Sequence, residues 1–451
     1  MRNYKNVMKK VLLLIPPNKE GFIRDVQYGC WHKPKFIDYS WPPITEYQLY
    51  SILKNQFKVK IIDGSILSYN KVISLIQKFN PDYIICSTGT YTFADDITFL
   101  RKIKKRKQKI ITYGELATLS PKVCLREKAI DYAIKGEPEA IILDLLTNEE
   151  NKKFLTRLTG LCFKDHITRN SIFVKNLDNL PFPERDIHLA TKYKNPFAIK
   201  RPFTTIIVTR GCPYSCIFCT VPVLYGKTFR KRTIKNITKE MKILKNQGFK
   251  ELFFRDENLT LDKDFVKKLC QQIIREKLNF SWMCNSRIDT IDKETLYIMK
   301  KSGCHLIKFG VESGNQEILD NMNKKITLNQ IKEAFYLCKE EKIDTLAHFM
   351  IGNLGDTKET IMETIQFAKE LNPLYASFDI VLKYQGTKLS KMKKLTNINN
   401  SELEFYHDYA FKNFYIRPRL ILRHIFAVKS YDQFKQKTIG TVKLWYKLLF
   451  K

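Results

Sequence analysis

Three cysteines fall within eight positions of "TRGCPYSCIFCT", residues 209–220: Cys212, Cys216 and Cys219. Thiolate is the usual ligand of an iron–sulfur cluster, and three on one tight loop can hold three irons of a four-iron cube. The fourth iron then keeps an open position for a substrate or cofactor to chelate, as catalytic metal sites leave one coordination place free. A structural zinc site is the alternative, and it needs a fourth nitrogen or sulfur donor from a distant part of the chain. C-x-x-x-C-x-x-C just after an apolar run is a much more specific signal than a bare C-x-x-C.

More polar stations follow: "RDEN" with Asp256, Glu257 and Asn258, "NSRID" with Ser286 and Arg287, "GVESG" with Glu312 and Ser313, and "MIGNLGDTKET" with Gly352, Gly355 and Glu359. Taken singly, each reads equally well as a turn or bend. Each, however, closes an apolar run: "TTIIVTRG" (204–211), "ELFFRDEN" (251–258), "FSWMCNSRID" (280–289), "HLIKFGVESG" (305–314) and "DTLAHFMIGN" (344–353), with "LYASFDIVLKY" (374–384) after them. Amphipathic stretches such as "IKNITKEMKILKNQG" separate the runs. This rhythm predicts a partial (β/α)6 TIM-type barrel over residues 201–390, with every station at a strand's C-terminal end, where such barrels build active sites.

The first 150 residues show the same rhythm in "VLLLIPP" (11–17), "KVKIIDG" (58–64), "DYIICSTGT" (82–90) and "KIITYG" (109–114). Strands that are apolar throughout, each followed by a helix, predict a doubly wound parallel sheet, Rossmann-like, covered on both faces. Ligands of such sheets lie beyond the strands' carboxyl ends. That places Pro16 and Pro17, the run Ser87, Thr88, Gly89 and Thr90, the run Gly114 to Thr118, and Gly136, Glu137 and Glu139 at the candidate site. No G-x-G-x-x-G follows the first strand, which argues against a dinucleotide. Residues 151–200 read as a Pro-containing linker, and 391–451 as a helical, basic C-terminal region.

Composition bounds the class. The chain has 451 residues, 44% of them hydrophobic and 27% charged, and no apolar run long enough to span a bilayer. The N-terminal "MKKVLLLIPP" imitates a signal peptide, but its apolar run is short and ends at Pro-Pro, as a first buried strand would. Eleven cysteines, an odd number without small-domain spacing, exclude a secreted disulfide scaffold and point to a reducing cytoplasm. The net charge of +32 raises nucleic acid or an anionic membrane as partner. Lysine is abundant along the whole chain, and the basic run 101–109 lacks interleaved aromatics, so nucleic acid is not expected. The tail 416–451 mixes Arg and Lys with Trp445, Tyr446, Leu448, Leu449 and Phe450. This composition suits a peripheral membrane contact as well as a helix docked on the barrel.

The cysteine motif, with the aromatic Phe218 before its last Cys, resembles that of the radical S-adenosylmethionine (SAM) enzymes. The resemblance implies a 4Fe-4S cluster on Cys212, Cys216 and Cys219, whose open iron is chelated by SAM. It places Asp256, Glu257 and Asn258 near the methionine amine, Ser286, Arg287, Glu312 and Ser313 near ribose or carboxylate, and Gly352 under the adenine. The phrases "LLLIPP", "PDYIICSTGT", "ITYGELATL", "DYAIKGEPEAI" and "LDNLPFPERD" resemble the cobalamin-binding N-terminal domain fused to one branch of these enzymes. That branch implies a cobalamin site at Pro17, Ser87, Thr88, Gly89, Gly114, Thr118, Gly136 and Glu137. The implied reaction is SAM cleavage to a 5′-deoxyadenosyl radical, hydrogen abstraction from an unactivated carbon, and methyl transfer to a small-molecule or lipid-like substrate. It also implies a low-potential electron donor such as flavodoxin or ferredoxin. Radical cyclisation or oxidation is the alternative outcome in the same branch.

Two residues depart from the branch. Tyr113 and Leu116 stand where it often has glycine and histidine. The D-x-H-x-x-G loop of His-on cobalamin proteins is absent from the sheet domain; "DIHLAT" looks similar but lies in the linker, so His188 reads as a surface residue, and the loop residue His32 reads as solvated rather than as a corrin ligand. A methylthiotransferase reading would recruit Cys30, Cys86 and Cys124 for a second cluster, but their settings do not match, and no strand-rich RNA-binding module follows the barrel. Cys162, Cys270, Cys284, Cys304 and Cys338 read as core filling, and His348 as a barrel histidine satisfied by its neighbours.

Overall fold

The computed structural model describes residues 8–17, 23–25, 30–32 and 39–426. The side chains of Cys30 and His32, and the tail beyond residue 426 with Trp445, Tyr446, Leu448, Leu449 and Phe450, lie outside that description. Sixteen strands are described: β1 Lys10–Ile15, β2 Ile23–Asp25, β3 Cys30–His32, β4 Lys58–Asp63, β5 Tyr83–Ser87, β6 Lys109–Tyr113, β7 Tyr132–Ile134, β8 Leu161–Cys162, β9 Phe203–Ile206, β10 Thr209–Arg210, β11 Arg230–Lys231, β12 Glu251–Phe254, β13 Ser281–Ser286, β14 Cys304–Glu312, β15 Asp344–Ile351 and β16 Tyr375–Ile380.

The front sheet has the order β4-β1-β5-β6-β7-β8. The five strands from β4 to β7 are parallel, as the continuous apolar runs require. Along β1, Val11 and Leu13 enter one core and Leu12 and Leu14 the other, so the sheet is covered on both faces. One strand differs from expectation. β8 pairs antiparallel with β7, so the stretch read as linker lends the front sheet its edge.

The second sheet, β16-β15-β14-β13-β12-β9, is parallel throughout and forms the open six-stranded barrel. Its helices, among them Ile234–Asn246, Lys263–Arg275, Leu328–Glu340 and Lys358–Leu371, shield the outer face. Local signals set their starts: Thr233, Asp262 and Asp292 accept hydrogen bonds as N-caps, and Thr327 and Thr357 form capping boxes. Inside, Phe203, Phe253, Met283, Leu306 and Leu346 form an apolar floor, closed by Trp41 from the front domain and Tyr193 and Phe197 from the linker.

The carboxyl ends of the two sheets meet. Tyr91, beyond β5, packs edge-on against Tyr384, beyond β16, with ring centroids 5.5 Å apart. Ser120 hydrogen-bonds Gln385 in the same seam. The barrel mouth therefore opens toward the ligand edge of the front sheet. Among the described residues no helix is long and apolar enough to cross a membrane.

Candidate functional site

The cysteine loop is closed at its base by a two-stranded hairpin. β10 and β11 pair antiparallel, with Arg210 opposite Arg230, so residues 211–229 form one loop carrying all three thiols. Asp256, at the end of β12, fixes its entry by accepting hydrogen bonds from the backbone N–H groups of Val208 and Thr209 and from the Thr209 hydroxyl. Burial raises the Asp256 carboxyl to about 6, against those bonds. Glu257 accepts from the Gly211 N–H at 3.2 Å. Asp256 and Glu257 of "RDEN" thus hold the loop.

Cys212, Cys216 and Cys219 are half-buried free thiols. Cys212 and Cys219 pack on Val221, Leu224 and Tyr225. Burial raises the Cys212 thiol and pushes Cys219 up to about 12. Arg287 sits beside them: its guanidinium lies 3.6 Å from the Tyr214 ring centroid, and its Nη1 is 3.6 Å from the Cys216 Sγ. Asp289 and the Lys324 carbonyl take its other donors. Among the described residues no three His, Cys, Asp or Glu side chains are grouped as ligands of a single metal ion. Three thiols on one loop with a fixed cation at their side match the chemistry of a cluster, whose irons take one thiolate each at separate corners.

The remaining stations divide between local bracing and the open mouth. Ser286 is bound into a buried hydroxyl group with Thr260 and Thr290, and both threonines also reach the Asn258 Oδ1. The Nδ2 of Asn258 is buried with no protein hydrogen-bond partner among the described residues. An orphaned donor of this kind beside the cysteine loop fits a bound polar ligand. Glu312, in the left-handed region at φ 72°, pairs with Lys324 at 2.6 Å, and Lys324 lies 5.9 Å from the Phe218 ring. A Cβ on Gly310 would come within 2.3 Å of the Glu312 Oε1 and 2.9 Å of the Lys324 Nζ, so a side chain there would push the ends of this pair aside. Ser313 bonds Thr364. Beyond β15, Asp356 accepts from the N–H groups of Gly352 and Asn353 and shapes that turn. Lys324, Thr260, Thr290 and Asp356 escaped the sequence reading; Asp356 stands inside the quoted "GNLGDT", whereas Lys324 has no spacing signal at all.

Within the mouth the inward positions Asn285, Gly310, His348, Met350 and Ser377 are half-buried, while their outward neighbours Phe309, Phe349 and Phe378 are sealed. His348 bonds Ser377 through Nδ1 at 2.7 Å, and Ser377 donates to Asp379 at 3.1 Å.

At the front sheet, Ser87, Thr88 and Gly89 are buried at the end of β5. The Ser87 hydroxyl has no protein partner among the described residues, whereas Thr88 bonds Thr112 at 2.7 Å. Glu115 takes the Thr90 N–H and hydroxyl, tying the β5 and β6 loops together. Tyr113 and Leu116 do not stand at this edge. The Tyr113 ring enters the core and its hydroxyl donates to Glu46 at 2.6 Å, and Leu116 is core on the opposite face. Pro17 is buried at the end of β1, and Gly114 carries the turn after β6 at φ 100°. Thr118 accepts from the Gly136 N–H, while both Glu137 oxygens are taken by Arg230. Glu137 is therefore committed to the barrel rather than presented to a ligand on the sheet. Cys86 and Cys124 are fully buried, as are Cys162, Cys270, Cys284, Cys304 and Cys338; His188 is exposed.

Comparison with known proteins places this architecture. Residues 206–368 match the model of the radical SAM superfamily. An uncharacterized methyltransferase of Pyrococcus horikoshii is 28% identical over 97% of this chain and 99% of its own length. The anaerobic magnesium-protoporphyrin IX monomethyl ester cyclase of Rubrivivax gelatinosus is 28% identical over 75% of this chain, which spans 64% of that enzyme, just under two thirds. Among solved structures, the radical SAM methyltransferase TsrM of Kitasatospora setae, with cobalamin and a [4Fe-4S] cluster bound, has a TM-score of 0.68 at 17% identity, over 85% of this chain and 77% of its own.

Proposed function

We propose that this chain, which belongs to the radical SAM superfamily through residues 206–368, is a cobalamin-dependent radical SAM methyltransferase acting on an unactivated carbon of a small molecule. The observation that carries the reading is the placement of the three-cysteine loop. It stands at a barrel mouth that opens onto the ligand edge of a second, doubly wound sheet. Cys212, Cys216 and Cys219 would hold a four-iron cluster that would supply the electron for SAM cleavage, and cobalamin at the front-sheet edge would supply methyl-transfer chemistry.

The protein's own residues bind, orient and exclude water. Arg287 balances thiolate charge beside Cys216, and the orphaned Asn258 amide offers a donor to SAM. Glu257, Glu312, Ser313 and Gly352 complete the proposed SAM contacts, with Asp256 and Ser286 bracing them from behind. Pro17, Ser87, Thr88, Gly89, Gly114, Thr118 and Gly136 form the proposed cobalamin edge, supported by the orphaned Ser87 hydroxyl. The apolar floor and the Trp41–Tyr193–Phe197 plug close the barrel from below, which keeps a radical from solvent. The reading divides the chain into a cobalamin domain at 1–150, a linker at 151–200, the SAM core at 201–390 and a helical C-terminal region at 391–451. A flavodoxin- or ferredoxin-like donor and a membrane contact through the basic C-terminal region belong to the same proposal.

Anaerobic reconstitution tests it. The expected result is four-iron absorbance lost in Cys212→Ala, corrin absorbance on the same sample, and release of both 5′-deoxyadenosine and S-adenosylhomocysteine. No cluster or no SAM cleavage overturns the enzyme reading. Production of 5′-deoxyadenosine without S-adenosylhomocysteine favours cyclisation or oxidation over methyl transfer.

A further inference from the structure

The hairpin that closes the cysteine loop is gripped from the front domain. Arg230 forks onto Glu137, with Nη2 to Oε1 at 2.7 Å and Nη1 to Oε2 at 2.9 Å, and Arg210 reaches Glu139 at 2.8 Å and Glu137 at 3.6 Å. Glu137, Glu139 and Arg210 are buried and Arg230 is partly buried, with side-chain exposure from 1% at Glu137 to 12% at Arg230. Two carboxylates meet two guanidiniums, so the group is neutral, and the two arginines are register partners in the hairpin itself. Burial works against the charge on Arg210, but Glu139 and Glu137 outweigh it and hold the guanidinium charged. A planar fork on a carboxylate fixes orientation as well as distance.

The grip is built into the backbone. Gly136 lies at φ 97°, where an added Cβ would stand 2.1 Å from the Ile172 carbonyl oxygen, and the single turn Pro138–Ala140 follows Glu137. Glu137 and Glu139 therefore leave this turn toward the same hairpin. Upstream, the Gly136 N–H is held by Thr118, on the helix that follows β6 at the sheet's ligand edge. A continuous chain of polar contacts thus runs from the front sheet to the residue two places before Cys212.

We infer that Glu137 and Glu139 are positioning residues for the cluster: the front domain sets the cysteine loop through the Arg210–Arg230 hairpin rather than merely packing on it. The inference rests on the cluster reading proposed above. It is tested on the full chain, reconstituted anaerobically, by comparing wild type with Glu137→Gln/Glu139→Gln for iron and sulfide content, the paramagnetic resonance spectrum of the reduced cluster with and without SAM, and corrin absorbance. Loss of a residue that orients metal ligands weakens a site by about tenfold or more, so the variant is expected to retain the cluster about tenfold less well on gel filtration and to give an altered spectrum with SAM, at unchanged corrin absorbance. Wild-type cluster content and spectra in the variant overturn the inference, as does loss of corrin with an intact cluster, which would return Glu137 to a corrin role. If the double variant does not fold, Arg230→Lys, which keeps the charge and loses the fork, is read in the same way. A wild-type protein without any cluster overturns the functional reading itself and this inference with it.

Discussion

Arg287 holds one guanidinium nitrogen 3.6 Å from the Cys216 Sγ while its plane lies against the Tyr214 ring. Asp289 and the Lys324 carbonyl fix it there, so the cation cannot swing away. If Cys216 ligates the proposed cluster, a fixed positive charge beside it favours the reduced state, because reduction adds negative charge to the cluster. Arg287→Ala is therefore expected to lower the midpoint potential by on the order of tens of millivolts, read by paramagnetic-resonance titration, and Arg287→Lys by less. A potential that is unchanged or higher in the alanine variant would exclude this role.

Glu240 is buried between Arg185 and Arg232, which stand at 2.7 Å and 2.5 Å. The two guanidiniums outweigh the burial penalty and hold its carboxyl below the usual range. Glu240→Ala would strand two buried cations at the joint between linker and barrel, and about 3–5 kcal/mol of stability should disappear in urea denaturation. A loss below about 1 kcal/mol would show that solvent reaches the pair.

Glu46 carries the opposite signature. Burial raises its carboxyl to about 7 despite the Tyr113 hydroxyl bond. The folded state then binds a proton between the unfolded value of 4.5 and about 7 that the unfolded state has released, so stability falls as pH rises through this window. Glu46→Gln should remove that slope, with little effect at pH ~4 and a gain of up to about 3 kcal/mol at pH ~8. Equal denaturation midpoints for variant and wild type at pH ~8 would contradict it.

Gly136→Ala adds a methyl group against the Ile172 carbonyl at a left-handed φ of 97°. A destabilisation of about 2–4 kcal/mol is expected, accompanied by weaker cluster retention as Glu137 shifts. Stability equal to wild type would mean that the turn relaxes freely.

The two parallel sheets and the cysteine loop were legible in the sequence because each depends on local pattern. Short apolar runs such as "KVLLLI" and "HLIKFGVE", bounded by turn residues and alternating with helical stretches, point to strands buried on both faces, and three thiols spaced by four and three residues are their own signature. Asp256, Arg287 and Glu312 were singled out by their positions after strands. Their partners were not. Lys324 and Thr209 meet Glu312 and Asp256 only once the barrel has closed, and no spacing along the chain records that approach.

Glu137 and Tyr113 show the same limit from the other side. The sequence set Glu137 at the edge of the front sheet, where a ligand would lie, and Tyr113 next to it, where the resembled branch often has glycine. Which face a side chain takes, and which element covers it, depends on packing between distant segments: the barrel's Arg230 claims Glu137, and the core beside Glu46 claims the Tyr113 ring. The sequence by itself determined two doubly covered sheets and a loop able to hold iron, since strand periodicity and thiol spacing are local properties. Only the tertiary structure decided that the two halves meet at their carboxyl ends and that buried arginine–glutamate pairs tie one to the other. Those pairings join residues 71 and 93 positions apart, and only folding brings them together.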